Sequence, residues 1–150
     1  MALIDLSSMP ESGPLIGIDP GSKTLGIAAS DGLRLIASPV KTIARSKLAK
    51  DLEALFALYD GRGAVGLVCG LPLNMDASEG PRAQSARAFV RNILKTRDVP
   101  IAFQDERLST AQATRAMLDA DLSRARRAEL IDASAASVIL QTALDRLANA

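Results

Sequence analysis

Apolar residues along the chain occur in short runs that end at turn residues, and this pattern predicts β-strands. The runs are Leu15–Asp19, Thr24–Ser30, Leu33–Val40, Ala64–Gly70 and Val99–Gln104. Asp31 and Gly32, between the second and third runs, form a hairpin signal, so we expect these two strands to be antiparallel neighbours. Pro39 indicates that the third strand lies at an edge of the sheet or ends there.

Elsewhere, apolar residues recur at helical spacing. The predicted helices are one that follows Ser46 and stops at Asp60, Pro81–Thr96, one from Ser109 or Thr110 to about Asp119, and Ala128–Leu147. A polar loop, Ala120–Arg127, separates the last two helices. The order βββ-α-β-α-β-α-α predicts an α/β fold. We expect a mixed five-stranded sheet, three antiparallel strands and then parallel βα units, with helices on both faces. The first, fourth and fifth strands should be parallel neighbours.

The length of 150 residues fits one domain, which we assign to residues 15–150. Residues 1–14 are rich in Ser, Pro and Gly, and we expect a flexible N-terminal extension there. The apolar runs are far shorter than the ~20 residues of a membrane-spanning helix. The first residues also lack the basic start of a signal peptide. These features predict a cytoplasmic protein with no membrane partner.

Composition narrows the possible chemistry. The chain has no His, one Cys, and 18 Lys and Arg residues against 17 Asp and Glu residues. The lack of His excludes Ser-His-Asp and Cys-His catalysis, and Cys69 alone cannot build a zinc cage or an iron–sulfur cluster. Reactive groups are therefore expected among carboxylates, hydroxyls, Lys, Arg or a bound hard cation. The net charge of +1 argues against nucleic-acid binding over the whole surface but allows a local basic patch.

Acidic residues fall where strands of the predicted sheet end. The first strand ends at Asp19, and the fifth runs into Asp105 and Glu106. Asp132 lies in the first turns of the last helix and could reach the same edge. Carboxylates that converge without compensating charge repel one another, and a bound divalent cation relieves that cost. Because the ligands would be oxygens, the expected ion is Mg²⁺ or Mn²⁺, and a pair of such ions would suit phosphodiester cleavage.

Each acid also has a structural interpretation. Asp19 precedes Pro20 and Gly21 and could be a turn residue. Asp105 or Glu106 could cap the following helix or pair with Arg107. Asp132 could stabilise the start of a helix through the macrodipole. The case for a functional site therefore depends on the acids meeting at one sheet edge.

Four motifs, in order along the chain, resemble those of the YqgF/RuvX family. They are Gly17–Lys23 with Gly26, Ser30 and Asp31; Gly70–Asn74 with Glu79 and Gly80; Asp105–Thr110; and Asp132–Ala136 with Ile139–Gln141. The similarity spans Leu15 to about Leu147. Two departures are Thr24, where the family commonly has Arg, and Ala77, where it usually has Gly.

The resemblance implies a ribonuclease H-like fold of the Holliday-junction-resolvase type. It implies a cytoplasmic bacterial nuclease that processes the 5′ end of pre-16S ribosomal RNA. It also implies a catalytic metal site for Mg²⁺ or Mn²⁺ built from Asp19, Glu106 and Asp132. Asp105 is adjacent to Glu106, and strand alternation predicts that only one of the two faces the metal.

Several polar side chains are candidates for holding a nucleic-acid substrate. They are Lys23, Asn74, Arg107, Arg124, Arg126 and Arg127. Each of these residues also has a purely structural interpretation, as a turn residue, a loop residue or a solvated surface charge. The predicted second helix carries a line of basic residues, which could contact phosphates but is more typical of a solvated helix surface: Arg82, Arg87, Arg91 and Lys95.

Three hypotheses remain open at this point. The first is a metal-dependent endonuclease acting on structured RNA, with pre-16S rRNA and ribosomal precursor particles as partners. The second is a resolvase that cuts branched DNA with the same chemistry, which would require a homodimer rather than a monomer. The third is a non-catalytic RNA-binding ribosome-assembly factor. An actin-like ATP-binding fold is disfavoured because 150 residues leave no room for a second lobe.

Overall fold

The computed structural model describes residues 3–105 and 124–149, and over residues 124–134 it describes the backbone alone. Its centre is a five-stranded sheet with the order β3-β2-β1-β4-β5. The strands are β1 (Leu15–Pro20), β2 (Thr24–Ser30), β3 (Ala37–Ala44), β4 (Gly66–Leu71) and β5 (Ile101–Asp105). β2 is antiparallel to β1 and β3, whereas β4 is parallel to β1 and β5. The predicted mixed sheet is confirmed.

Helices cover both faces of this sheet, as predicted. They are α1 (Leu48–Gly61), α2 (Pro81–Thr96) and α3 (Arg124–Ala148). One face packs against α1 and α2 in a core that includes Ile18, Leu55 and Phe89. The other face packs against α3, in a core that includes Val68 and Leu140. The central strands β1 and β4 are buried along most of their length because each face is covered by a helix.

The third strand begins four residues later than predicted, at Ala37 rather than Leu33. The chain between β2 and β3 is held by Asp31, whose carboxylate accepts hydrogen bonds from the N–H groups of Leu35 and Ile36 at 2.8 and 2.9 Å. This side-chain acceptor stabilises a wide connection in place of the tight Asp-Gly turn. Pro39 lies in the edge strand β3 next to a register shift, as expected for a residue without an N–H group.

The polar loop predicted at Ala120–Arg127 is wrong over its last residues, because α3 begins at Arg124. Arg124, Arg126 and Arg127 therefore belong to the first turns of a helix. Arg and Ala are favourable helix residues, so the run continues the pattern of the helix rather than ending it. The helix predicted from Ser109 or Thr110 to Asp119 lies outside the described residues.

Residues 3–14, which precede β1, are packed against the sheet rather than extending freely from it. The N–H of Ile4 donates to the carbonyl of Ile101 at 2.9 Å, and a short 3₁₀ helix follows at Leu6–Ser8. Leu6 and Met9 are buried in the core beneath α3. The flexible extension was predicted from the Ser, Pro and Gly content of residues 1–14. The segment packs against the sheet instead because the apolar side chains of Leu6 and Met9, which lie between those residues, are buried.

None of the helices within residues 3–105 and 124–149 combines the length and apolar composition that a membrane span requires.

Candidate functional site

The carboxyl ends of three parallel strands meet at one edge of the sheet, and Asp19 lies at this edge. Asp19 is the second-last residue of β1 and pairs with Gly26 of β2. Ile18 is level with Cys69 on β4, and Leu71 is level with Asp105 on β5. Asp19 is half-buried. In open α/β sheets the functional crevice lies beyond this edge, so Asp19 occupies the expected position.

Asp19 lies on the face of the sheet that α3 covers. Two residues earlier, Gly17 lies so close to α3 that a Cβ at this position would stand 2.8 Å from the Cβ of Leu140 and 3.0 Å from the carbonyl oxygen of Ala136. Residues two apart on a strand share a face. In α3, Asp132 lies four residues, and therefore one helical turn, before Ala136.

The convergence of three carboxylates stays a prediction. Glu106 and the side chain of Asp132 lie outside the described residues. Among the side chains that the structure does describe, no group of three or more acidic or thiol residues could hold a metal ion. That finding concerns only one of the three predicted ligands, Asp19.

Asp105 lies on the opposite face from Asp19. Its neighbours two and four residues earlier, Phe103 and Ile101, pack into the core under α1 and α2. Gln104 lies on the α3 face, where its side-chain oxygen accepts a hydrogen bond from Nη1 of Arg146 at 2.7 Å. By strand alternation Asp105 therefore points away from the α3 face. Glu106, the other acid of the pair, stays the predicted ligand.

A cleft of about 460 Å³ begins next to Asp19, at Pro20. It is formed by the β1–β2 turn, the residue after β3 and the first turn of α2. Its lining residues are Pro20, Gly21, Ser22, Lys23, Thr24, Arg45, Pro81, Arg82 and Ser85. Lys23, a predicted substrate contact, is exposed in this turn. The cleft carries three cationic side chains, Lys23, Arg45 and Arg82.

Arg45 was not singled out by sequence analysis. Its Nη1 donates to the carbonyl of Gly21 at 2.8 Å, and its guanidinium lies 5.2 Å from the centre of the Phe89 ring. The residue follows β3 directly, and β3 runs in the same direction as β1 because both are antiparallel to β2. Its carboxyl end therefore lies at the same sheet edge as Asp19. Among the strands, the site was predicted from the ends of β1, β4 and β5 only. Including the end of β3, which runs in the same direction, would have identified Arg45.

The basic residues of α2 have different surroundings. Arg87 donates to both carboxylate oxygens of Glu79, at 2.6 and 2.8 Å, and its guanidinium lies 5.0 Å from the centre of the Phe103 ring. These hydrogen bonds lower the pKa of the Glu79 carboxyl below its ordinary value. Arg82 instead lines the cleft, and Lys95 is exposed at the far end of α2.

Asn74, another predicted substrate contact, helps to build the loop between β4 and α2. Its N–H donates to the carbonyl of Ser78 at 2.9 Å, and its side-chain amide donates to the Ser78 hydroxyl at 3.0 Å. Ala77, inside this loop, has a positive φ of 70°. A role for Asn74 in substrate binding stays a prediction.

The structure does not describe the side chains of the remaining predicted contacts. Arg107 lies outside the described residues. For Arg124, Arg126 and Arg127 the structure describes the helical backbone of α3 and not the side chains. Their contacts with a substrate stay predictions.

Comparison with solved structures identifies the fold. The chain superimposes on the structure titled "T. thermophilus RuvC in complex with Holliday junction substrate" with a TM-score of 0.57 and 16% identity, covering 92% of this chain and 98% of that one. A second structure, of Thermus thermophilus RuvC, gives a TM-score of 0.54 at 15% identity, covering 90% of this chain and 96% of that one. At these identities the likeness shows a ribonuclease H-like fold.

Curated relatives are much closer in sequence. A protein of Cereibacter sphaeroides (strain KD131 / KCTC 12085) named "Putative pre-16S rRNA nuclease" is 57% identical over 142 residues, which cover 95% of this chain and 89% of the relative. A protein of the same name from Phenylobacterium zucineum is 51% identical over 99% of both chains. The family model described as "RuvX: Holliday junction resolvase" matches residues 13–146. This match and these identities establish that the chain belongs to the RuvX family.

Proposed function

We propose that the protein is a metal-dependent endonuclease that hydrolyses phosphodiester bonds during 5′-end maturation of pre-16S rRNA. The observation that carries this proposal is the position of Asp19, at the carboxyl end of β1 and next to a cleft with three cationic side chains. A carboxylate beside a basic cleft suits a phosphodiester substrate, because the carboxylate serves the reaction and the cationic side chains hold the phosphate backbone of the nucleic acid. The name carried by the bacterial relatives supports rRNA as the substrate.

Asp19, Glu106 and Asp132 are the residues that would hold the metal. The chemistry of the donor set fits a hard cation: the three are carboxylates, the chain has no His, and Cys69 is buried within β4. A bound Mg²⁺ or Mn²⁺ supplies a polarised phosphoryl oxygen and an acidified water molecule. The chain itself holds Asp19 at the sheet edge through β1 and holds the substrate backbone through its cationic side chains.

The test is a cleavage assay with purified protein and Mg²⁺ or Mn²⁺ on an rRNA fragment that carries the precursor 5′ extension. Asp19→Asn, which keeps the shape of the side chain and removes its charge, should lose at least about 100-fold in rate because the carboxylate serves the reaction directly. Its circular dichroism spectrum and unfolding transition should match those of the unmodified protein. Unchanged turnover by Asp19→Asn would contradict the proposal.

Two alternatives are decided by the same assay. The fold of RuvC supports a resolvase, which would cut a four-way DNA junction in preference to the rRNA fragment and would form a homodimer rather than a monomer. A non-catalytic assembly factor would bind RNA or ribosomal precursor particles equally well with Asp19→Asn and would give no product with either metal. The nuclease proposal places the reaction in the cytoplasm, with structured RNA as the partner.

A further inference from the structure

We propose that Lys23, Arg45 and Arg82 form a phosphate-binding site that holds the substrate strand beside Asp19, with Arg45 as its pre-positioned member. The site is named the basic cleft below. The identity of the ligand as a nucleic-acid strand rests on the proposed function. The site itself rests on the contacts and charges of the described residues.

The charge of the basic cleft is one-sided. Among the described residues, its lining contains the three cations and no acidic residue. The carboxylate of Asp51, which is 2% exposed and is not among the described lining residues, lies 3.7 Å from Nε of Arg45. The first residue of α2, Pro81, also lines the cleft, so the positive end of the α2 dipole adds to the same field. An anion is the ligand that such a lining selects.

Arg45 is held in place before any ligand arrives. Its guanidinium is fixed by the hydrogen bond to Gly21, by the cation–π contact with Phe89 and by the charge of Asp51. Its backbone N–H donates to the carbonyl of Lys23 at 2.9 Å, so both cations are tied to one turn. A side chain that is already ordered loses less entropy when it binds phosphate, and the planar guanidinium matches phosphate oxygens.

A purely structural role for Arg45 would be expected to bury its side chain. Instead 28% of the side chain is exposed, and the cleft volume of about 460 Å³ is many times the ~30 Å³ of a water molecule. This space can admit a phosphate with part of its sugar.

The position of the cleft predicts how the strand runs. The basic cleft lies on the α2 side of the sheet edge, since the guanidinium of Arg45 makes a cation–π contact with Phe89 of α2. Asp19 shares the α3 face with Gly17. A strand held in the cleft and cut at Asp19 therefore crosses the carboxyl edge of the sheet. Contacts of this kind recognise the phosphate backbone without reading the bases.

The experiment measures binding without cleavage. The protein carries Asp19→Asn, EDTA removes divalent ions, and fluorescence anisotropy follows a labelled single-stranded RNA and a DNA of the same sequence over a range of salt concentrations. Arg45→Gln should weaken binding of both strands about tenfold, the loss of one charge-assisted contact. It should also reduce the slope of log affinity against log salt by about 0.7, the value for one phosphate contact in a single strand.

Lys95→Gln is the matched control, because it removes one positive charge from the far end of α2 and should leave the affinity within twofold. Equal loss with Lys95→Gln and Arg45→Gln would overturn the proposal, since general charge would then explain the binding. An Arg45→Gln variant that folds normally and keeps the original affinity and salt slope would also overturn it.

If Arg45→Gln fails to fold, the exposed residues Lys23 and Arg82 decide the question. The double variant Lys23→Gln and Arg82→Gln should lower the slope by about 1.4, two contacts in a single strand; an unchanged slope overturns the proposal. The two proposals can fail independently. If the unmodified protein cleaves no substrate while the variants still lose binding, the proposed nuclease function is wrong and the phosphate-binding site stands.

Discussion

Gly17 on β1 lies directly beneath Leu140 on α3, at a separation that leaves no room for a side chain. A Cβ on Gly17 would stand 2.8 Å from the Cβ of Leu140, closer than non-bonded carbon atoms approach in folded proteins. The absence of a side chain at position 17 therefore sets the distance between α3 and the strand that carries Asp19. In α3, Asp132 lies one turn before Ala136, the other residue that approaches Gly17.

Gly17→Ala should destabilise the protein by about 1–3 kcal/mol, because an overpacked core must shift or strain. The free energy of unfolding in urea measures this change. If Asp132 is a metal ligand as proposed, cleavage should also fall in the folded variant, since moving α3 away from β1 would carry that residue away from the sheet edge. The matched control is Gly61→Ala at the end of α1, where a Cβ would have no neighbour within 4 Å. A Gly17→Ala variant as stable as Gly61→Ala would contradict this account of the packing.

Ala77→Gly should make the protein more stable by up to about 1 kcal/mol. Ala77 has a φ of 70°, a conformation that costs an L-residue about 1–2 kcal/mol, and part of that gain is lost to the larger entropy of Gly in the unfolded chain. Ala77→Val should have the opposite effect because a β-branched side chain fits this conformation worse. Both changes are measured by urea unfolding, and a loss of stability in Ala77→Gly would be the contradictory result.

The topology of the sheet was predictable because it depends on strong local patterns. The strands β1 and β4 are short apolar runs that end at turn residues, and this predicted the parallel edge at which Asp19 lies. The helix α2 was predicted from Pro81 to Thr96 and is observed with the same bounds. The sequence already showed that Ala77 stands where the family usually has Gly. The structure gives the physical reason for that Gly, because the backbone at position 77 has a positive φ.

The parts that sequence analysis missed depend on contacts between distant residues. The start of β3 is displaced because the Asp31 carboxylate accepts two backbone hydrogen bonds. The sequence alone does not distinguish this wider connection from a tight Asp-Gly turn. Arg45 enters the site through the direction of β3 and through Phe89, which lies 44 positions further along the chain. Without the strand pairing, Arg45 cannot be distinguished from an ordinary surface charge.

Acid should loosen the connection between β2 and β3. The hydrogen bond from the Ile36 N–H is the largest cause that holds the pKa of Asp31 below its ordinary value of 3.8. Desolvation opposes this lowering, and the hydrogen bond from the Leu35 N–H adds to it. A carboxyl with a lowered pKa stabilises the fold above its unfolded pKa, and that contribution is lost as the pH falls through the folded pKa. The amide NMR signals of Leu35 and Ile36 should therefore titrate with a midpoint below 3.8.

Asp31→Asn is the control for this titration, since its side chain carries no ionisable group and the two amide signals should then stay constant over the same range. A midpoint at or above 3.8 in the unmodified protein would show that the carboxylate does not hold these amides in solution.

Asp51 gives a prediction in which two physical effects have opposite signs. Its buried carboxylate accepts the Ser46 N–H at 3.0 Å and lies 3.7 Å from Nε of Arg45. Removing a negative charge near the basic cleft should strengthen nucleic-acid binding if only the overall field matters. If the ordered position of Arg45 matters more, Asp51→Asn should weaken binding, because the amide can still accept from Ser46 but no longer attracts the guanidinium. We expect weaker binding, by about threefold to tenfold, corresponding to about 0.6–1.4 kcal/mol.

The measurement is anisotropy with the Asp19→Asn protein in EDTA, as for Arg45→Gln. Glu53→Gln, on the exposed side of α1, removes one negative charge without touching Arg45 and should leave binding unchanged or slightly stronger. In the double variant Asp51→Asn with Arg45→Gln, the effect of Asp51→Asn should disappear, since the residue that Asp51 positions is gone. Tighter binding by Asp51→Asn alone would show that the field outweighs the positioning of Arg45, and the two variants would then add independently.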